Sequence, residues 1–220
     1  MYAVIGDVIG SRRLADRGGA QTRVVEALAD VSRTLPGVQP LEATVGDEFQ
    51  GAYASLGEAT RCTLLVRLAL LPGIDVRCGI GVGDATVFDA QRTPWLQDGP
   101  AWWAARRAVD TAKRLGGRPA SRHVRSWACA MDPEGNPADD TGTVPLATVN
   151  AYFSLQDFVL AGMQPRQVRL LAAVLRGEPQ REIADREGVT KSAVSQQFSR
   201  GISAVRDAQA LLEQDPVGRG

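Results

Sequence analysis

The sequence of 220 residues has only one histidine and three cysteines, and it has no excess of either charge. The 25 basic residues are balanced by 25 acidic ones, which excludes a protein that coats a polyanion with its whole surface. Cys62, Cys78 and Cys129 are far apart and form no C-x-x-C pair, so neither a disulfide framework nor a zinc site is expected. His123 has no companion ligand close to it in the sequence. Candidate chemistry is therefore sought among the acidic, basic and aromatic side chains.

Long apolar runs are also absent. The longest nearly uncharged stretch, residues 144–165, is interrupted by Pro145 and Asp157 and falls short of the roughly 20 apolar residues of a membrane span. Residues 1–7 lack the basic and apolar segments of a secretory signal. We therefore expect a cytoplasmic protein without a membrane anchor. At about 150 residues per domain, the length predicts one or two domains.

Short apolar runs alternate with helical patterns up to about residue 115. The periodicity predicts strands over residues 2–5, 41–45, 49–53 and 74–82, and helices over residues 19–35, 56–71 and 100–115. The order β-α-β-β-α-β-α is the split β-α-β pattern of ferredoxin-like sheets, so an α+β fold is predicted. Gly79, Gly81 and Gly83 interrupt the last strand, and we interpret them as positions crowded by a neighbouring backbone.

The composition changes after residue 116, where glycine, proline and acidic residues become frequent. A strand over residues 126–131 still fits the first region, and a clear helical pattern returns in the last third of the chain. We therefore predict a first domain over residues 1–131, a linker over 132–155 and a second, helical domain over 156–214.

The second domain has the spacing of a helix-turn-helix motif. Helices are predicted over residues 164–177, 179–187 and 191–212, with a turn at Gly188. Residues 161–206 contain eight basic and four acidic side chains, a balance that suits contact with phosphates. The predicted partner is therefore double-stranded DNA. The residues expected to contact it are Arg181, Thr190, Lys191, Ser192, Ser195, Gln196 and Arg200.

Residues 164–167, 182–184 and 189–195 resemble the helix-turn-helix of sigma-factor region four and of the LuxR type. The resemblance implies a transcription regulator that binds DNA as a homodimer. The alternative is a small three-helix bundle whose arginines are only solvated.

Two aspartates are predicted to meet at one end of the sheet. Asp7 directly follows the first strand, and Asp47 lies beside Glu48 in the predicted hairpin turn. If the first strand and the hairpin are neighbours, the carboxylates of Asp7 and Asp47 converge and repel unless a proton or a cation intervenes. Carboxylate oxygens suit Mg²⁺, which also binds substrate phosphates. The pair is therefore predicted to hold Mg²⁺; the alternative is that both aspartates only stabilise turns.

The surrounding residues resemble two families of nucleotide cyclases. Residues 4–11, 45–51 and 77–83 are similar in order and spacing to the three core motifs of class III cyclases. Residues 46–49 also resemble the GGDEF signature of diguanylate cyclases, although Val45 replaces its first glycine. The resemblance implies a palm-like sheet in which Asp7 and Asp47 hold the metal. It also implies a nucleotide ligand, for which the candidate binding residues are Gly10, Ser11, Arg12, Glu48, Trp102 and Arg106.

A further resemblance, to the SatD family, covers nearly the entire chain and is carried by residues 5–12, 46–51 and 98–101.

One position departs from the cyclase pattern. Trp102 stands where class III cyclases have an asparagine four residues before an arginine, and an indole lacks the carbonyl acceptor of an amide. We therefore predict a regulator whose cyclase-like domain binds a nucleotide or mediates dimerisation. The alternative is an active cyclase or a related metal-dependent phosphoryl-transfer enzyme. Trp102 and Trp103 suit a core or a dimer interface as well as they suit stacking on a base.

Overall fold

The computed structural model describes residues 1–92, 94–141, 144–188, 190, 196 and 201–214. These residues form an α+β protein. The strands are β1 (Tyr2–Val8), β2 (Gln39–Ala43), β3 (Glu48–Tyr53), β4 (Val76–Val82), β5 (Thr86–Asp89), β6 (Leu96–Asp98), β7 (Ser126–Met131) and β8 (Pro137–Ala138). The helices are α1 (Arg17–Thr34), α2 (Leu56–Leu70), α3 (Pro100–Gly116), α4 (Leu146–Ala161), α5 (Pro165–Leu175), α6 (Gln180–Glu187) and α7 (Ser203–Glu213).

The main sheet has the strand order β2-β3-β1-β4-β7-β8. β1 is antiparallel to both β3 and β4, and β4 is parallel to β7. The succession of elements from β1 to α3 agrees with the succession predicted from the periodicity, apart from a second, two-stranded sheet formed by β5 and β6, which the sequence did not predict. The sheet places the end of β1 between the start of β3 and the start of β4.

The two faces of the sheet are covered differently. Val4 and Val8 of β1 belong to a large hydrophobic cluster that includes residues of α1, α2 and α4. Ala3 and Ile5, whose side chains alternate with these, pack in a smaller cluster with α3. We call the first side the helical face and the second the α3 face.

Helix α3 lies almost directly on the backbone of β4. A Cβ atom added at Gly81 would be 2.0 Å from the carbonyl oxygen of Ala101, and one added at Gly79 would be 2.3 Å from the backbone nitrogen of Val109. Only glycine allows this approach, so the interpretation of these glycines as crowded strand positions is confirmed.

The C-terminal helices pack on α2 and share its hydrophobic cluster, which contains Leu171 of α5, Ile183 of α6 and Val205 of α7. Gln209 of α7 is buried, and its amide donates hydrogen bonds to the carbonyl of Gly57 (3.0 Å) and to the hydroxyl of Thr60 (3.1 Å). The C-terminal region is therefore anchored to the sheet through α2.

The segment between the two predicted domains is partly regular. Residues 132–155, for which a linker is predicted, include β8 and the first part of α4. Of the predicted helix over residues 191–212, residues 191–195 and 197–200 lie outside the described residues; in the described part, Gly201 has a φ of 97° and α7 begins at Ser203. None of the described helices is both long enough and apolar enough to span a membrane.

Candidate functional site

The carboxylate of Asp7 is held by an arginine on the next strand. Asp7 is opposite Arg77 in the pairing of β1 with β4. Nη1 of Arg77 donates to both Asp7 oxygens, at 3.1 and 2.8 Å. Their side chains are 19% and 16% exposed, so the pair is shielded but still open to solvent. Asp7 therefore already has a cationic partner within the chain.

A second ion pair lies beside the first. Asp7 is opposite Glu48 in the pairing of β1 with β3, so the side chains of both residues project from the α3 face. The guanidinium of Arg106, on α3, binds both Glu48 oxygens in a bidentate arrangement, at 2.7 and 2.8 Å. The hydrogen bonds tie the end of the sheet to α3, although both side chains remain about a third or more exposed.

The two neighbouring carboxyls have pKa values that move in opposite directions. Burial raises the pKa of Asp7, although the charges of Arg77 and Lys113 oppose the change. The hydrogen bonds from Arg106 lower the pKa of Glu48. Adjacent groups with pKa values driven apart are typical of functional sites. Relative to their ordinary pKa values, the environment therefore favours the protonated form of Asp7 and the ionised form of Glu48.

Asp47 lies close to both of these carboxylates. Its backbone carbonyl accepts a hydrogen bond from the nitrogen of Val8 at 3.2 Å, and Gly46 before it has a φ of 79°, which the tight turn requires. The charge of Asp47 contributes to the raised pKa of Asp7 and partly opposes the lowering of the pKa of Glu48 by Arg106. In the described part of the chain, no group of three His, Cys, Asp or Glu side chains is arranged to hold a metal ion.

A cavity of about 610 Å³ lies between the hairpin turn and the start of α1. We call it the loop cavity. Ser11, Arg12, Arg17 and Asp47 contribute its polar lining. Gly10 makes the turn before it with a φ of 69°. The cavity thus combines a hydroxyl group, two cationic side chains and a carboxylate at the end of the sheet.

A second cavity, of about 430 Å³, lies on the α3 face. We call it the α3 groove. Its lining consists of Ile5, Gln50, Gln97, Trp102, Trp103 and Arg106. Trp102 is 8% exposed and belongs to the hydrophobic cluster under α3, whereas Trp103 is 45% exposed. The first indole is therefore part of the floor of the groove, and the second lies at the surface.

The structure thus divides the predicted site residues between two cavities. Ser11, Arg12 and Asp47 line the loop cavity, and Trp102 and Arg106 line the α3 groove. Arg77, the partner of Asp7, was not predicted. A signal was available in the sequence, because Arg77, Gly79 and Gly81 alternate along one strand and therefore share a face.

The residues predicted to contact DNA lie partly outside the described residues, where Lys191, Ser192, Ser195 and Arg200 fall. Arg181 is exposed on α6, and Thr190 and Gln196 are also exposed. Helix α6 ends at Gly188, whose φ of 63° and ψ of 40° form the left-handed cap at the predicted turn.

A different charged cluster, which the sequence did not predict, lies in the interior of the helical face. Arg67 donates to Asp75 at 2.9 Å and to Asp157 at 2.6 Å, and Arg125 donates to Asp75 at 2.7 Å. We call these four residues the buried network. Asp157 also accepts hydrogen bonds from the backbone nitrogens of Arg125 and Ser126, at 2.6 and 2.8 Å. Asp157 therefore joins α4 to α2 and β7.

The fold and these clusters define an α+β protein with paired acidic and basic groups at one sheet end and short helices at the C-terminus. A family model described as the SatD family matches residues 1–205, and the chain belongs to this family. No curated protein matches the chain.

Proposed function

We propose that this SatD-family protein is a DNA-binding transcription regulator whose N-terminal region binds a nucleotide together with Mg²⁺. The loop cavity carries the nucleotide part of the proposal, because it places a hydroxyl group and two arginines beside Asp47. The order β2-β3-β1-β4, with helices α1 and α2 on one face, supports a ferredoxin-like, cyclase-like region over residues 1–131. We further propose that the protein is cytoplasmic and acts as a homodimer.

The phosphates of the nucleotide would lie in the loop cavity. Guanidinium groups such as those of Arg12 and Arg17 bind phosphate with charge-assisted hydrogen bonds. Helix α1 begins at Arg17, and its N-terminal end is already capped by Asp16, whose carboxylate accepts a hydrogen bond from the nitrogen of Gly19 at 2.8 Å. Arg12 and Arg17 are therefore the groups in the cavity lining that attract a negatively charged ligand.

Asp47 and Asp7 would hold the Mg²⁺, which when bound neutralises phosphate charge. Mg²⁺ is commonly bound by one or two carboxylates together with substrate phosphates, and this donor set fits that pattern. Asp47 is half-buried at the cavity, whereas both oxygens of Asp7 accept hydrogen bonds from Arg77. Asp47 would therefore be the more accessible of the two ligands, and Asp7 would share its carboxylate with Arg77.

The C-terminal helices support the DNA-binding part. Ile183 and Ala184 of α6 are buried, as a helix packed in a helix-turn-helix requires, while Arg181 is exposed beside them. The left-handed cap at Gly188 ends α6 directly before the segment in which base contacts are proposed. Arg181, Thr190, Lys191, Ser192, Ser195, Gln196 and Arg200 are the proposed contacts.

Calorimetric titration of the full chain tests the nucleotide part. With Mg²⁺ present, ATP, GTP or a cyclic dinucleotide is expected to give a binding isotherm, and Asp47→Asn is expected to abolish its Mg²⁺ dependence. Asp207→Asn is the matched control, because Asp207 is an exposed carboxylate on α7. An absence of heat from all of these ligands would remove nucleotide binding from the proposal.

DNA binding is tested by measuring affinity at several salt concentrations. Lys191→Ala is expected to weaken binding and to reduce the slope of log K against log salt by about one. Ser192→Ala and Gln196→Ala are expected to change preference among DNA sites. Arg33→Ala is the control, since Arg33 is an exposed arginine on α1. Unchanged affinity and preference in all three test variants would contradict DNA binding through this segment.

A further inference from the structure

The α3 groove is continuous with the carboxylates of the candidate site. Ile5 and Gln50 line the groove and are opposite each other in the pairing of β1 with β3. Asp7 and Glu48 form the pair two residues further along the same strands. Because two residues of a strand span about 7 Å and share a face, these carboxylates lie one step beyond the groove. A ligand in the groove therefore extends naturally toward Asp7 and Glu48.

One residue that lines the groove, Trp102, has a hydrogen-bond donor that no described residue satisfies. The indole Nε1 of Trp102 is buried without a hydrogen-bond partner in the described part of the chain, although a buried indole usually finds one. The amide Nε2 of Gln39, a residue that is 1% exposed, also has no hydrogen-bond partner among the described residues. Its Oε1 accepts a hydrogen bond from Gln97, which lines the groove. An unpaired buried donor is costly, and a ligand in the groove that presents an acceptor would satisfy the N–H of Trp102.

The surface side of the groove is formed by a fixed aromatic ring. Nε1 of Trp103 donates to Asp98 of β6 at 2.7 Å, and the ring lies against Gly135, where an added Cβ would be 3.1 Å from the indole. Trp103 nevertheless remains 45% exposed. Its orientation is therefore set before any ligand binds, which is the condition for an efficient stacking platform.

These features together select a planar ligand with hydrogen-bonding edges. Aromatic side chains stack on the flat face of any nucleobase, and glutamine amides can donate to and accept from a base edge. We propose that the α3 groove binds the base of the nucleotide, with the ring against Trp103 and its acceptors facing Trp102 and the amides of Gln50 and Gln97. This inference rests on the proposed function, and it names the position of the base.

The first test separates the base from the phosphates by ligand choice. Adenosine, guanosine, cytidine and uridine carry no phosphate, and inorganic tripolyphosphate with Mg²⁺ carries no base. Calorimetry on the full chain should detect at least one nucleoside without Mg²⁺. Trp103→Leu should weaken that binding about tenfold, the size expected for loss of one stacking partner. The same variant should bind tripolyphosphate with Mg²⁺ as the wild type does.

Three further variants make the test specific. Trp102→Phe keeps an aromatic ring and removes the unpaired N–H, and Gln50→Leu removes an amide from the base edge; each should weaken nucleoside binding several-fold. Trp127→Phe is the control, because Trp127 is a half-buried tryptophan of β7 that does not line the groove. Circular dichroism confirms folding, and the exposed position of Trp103 keeps the experiment decisive if Trp102→Phe unfolds.

The outcomes distinguish this inference from the proposed function. If nucleoside triphosphates bind with Mg²⁺ but Trp103→Leu and Gln50→Leu bind them within twofold of the wild type, the base lies elsewhere and the inference is wrong. If nucleosides bind through the groove while tripolyphosphate does not bind and Asp47→Asn has no effect on triphosphates, the Mg²⁺ and phosphate part of the proposed function is wrong instead. If no nucleoside and no nucleotide binds, both fail.

Discussion

Each face of the sheet carries one cluster of charged residues, and the two clusters differ in burial. On the helical face, the side chains of Arg67 and Asp157 are 4% and 0% exposed. On the α3 face, the ion pairs of Asp7 and Glu48 involve side chains between 16% and 47% exposed. The Arg67–Asp157 pair at the centre of the first cluster is therefore sealed in the protein, although Asp75 and Arg125 at its edge are 25% and 21% exposed. The second cluster borders the α3 groove and lies next to the loop cavity.

The difference shows which cluster can change its partners. Each Asp157 oxygen accepts hydrogen bonds from donors that cannot move without disturbing α2 or β7. Asp7 and Glu48 are each bound by one arginine side chain that solvent reaches, so water or a ligand can take its place. We conclude that the buried network holds the fold together and that the cluster on the α3 face is available for binding.

The largest expected effect comes from breaking the buried network. Asp157→Asn removes the negative charge and turns one acceptor into a donor, which then faces either Arg67 or the backbone nitrogens of Arg125 and Ser126. The loss of a buried partner typically costs about 3–5 kcal/mol, because the opposite charge stays buried and unpaired. Urea unfolding followed by circular dichroism should show a loss of this size.

Asp207→Asn is the control for this experiment, because its ion pair with Arg206 is exposed and should contribute about 0.5 kcal/mol or less. A loss below about 1 kcal/mol for Asp157→Asn would erase the distinction between the two faces. It would mean that the buried network is as replaceable as the exposed ion pairs.

A smaller effect is expected where the α3 face packs backbone against backbone. In Gly81→Ala the new Cβ would lie 2.0 Å from the carbonyl of Ala101 and 2.2 Å from the nitrogen of Ala105, so α3 must move away from β4. Overpacking of this kind typically costs about 1–3 kcal/mol. Urea unfolding measures the cost, and ligand titration should show weaker binding in the groove, since α3 carries Trp102 and Trp103.

Gly18→Ala is the matched substitution at an uncrowded glycine. Gly18 lies in the first turn of α1, and the nearest atom to an added Cβ is 3.7 Å away. Replacing a helical glycine by alanine is expected to raise the free energy of unfolding by up to about 1 kcal/mol. If Gly81→Ala and Gly18→Ala changed the free energy of unfolding in the same direction, the close approach of α3 to β4 would not control the stability of this face.

The sequence predicted the cluster on the α3 face better than the buried network, and the reason is physical. Asp7, predicted to follow the first strand, lies within β1, and Glu48, predicted in the turn, is the first residue of β3, because both strands extend further than the apolar runs. Asp47 does lie in the turn before β3, so the approximate positions could be inferred from local patterns. Asp157 contacts Arg67, 90 residues away, and Arg125, 32 residues away. Such contacts depend on how helices pack, which local periodicity does not encode.

Helix α4 was missed for a related reason. Its residues are mostly apolar on all sides, including the exposed Leu155 and Phe158, so they do not show the one-sided pattern by which a surface helix is predicted. The helix also begins at Leu146, directly after Pro145, without a side-chain cap. The strands β1, β3 and β4 and the helices α1, α2 and α3 were predicted within a few residues, because each combines a clear period with glycine or proline at an end.

The smallest expected effect is a pair of opposite pH dependences within the cluster on the α3 face. The pKa of Glu48 is lowered by Arg106, so its contribution to stability is complete above the unfolded pKa near 4.5 and is lost as the pH falls through the folded value. Because the pair is exposed, Glu48→Gln should cost below about 1 kcal/mol at pH 7, and the cost should vanish in acid.

Asp7 should show the opposite dependence. Burial raises the pKa of Asp7 above 3.8, so its ionisation lowers the stability of the fold as the pH rises from 3.8 through the folded pKa. Urea unfolding of wild type, Glu48→Gln and Asp7→Asn between pH 3 and 7 should therefore give difference curves of opposite slope, and slopes of equal sign would show that burial and pairing act alike on both carboxyls.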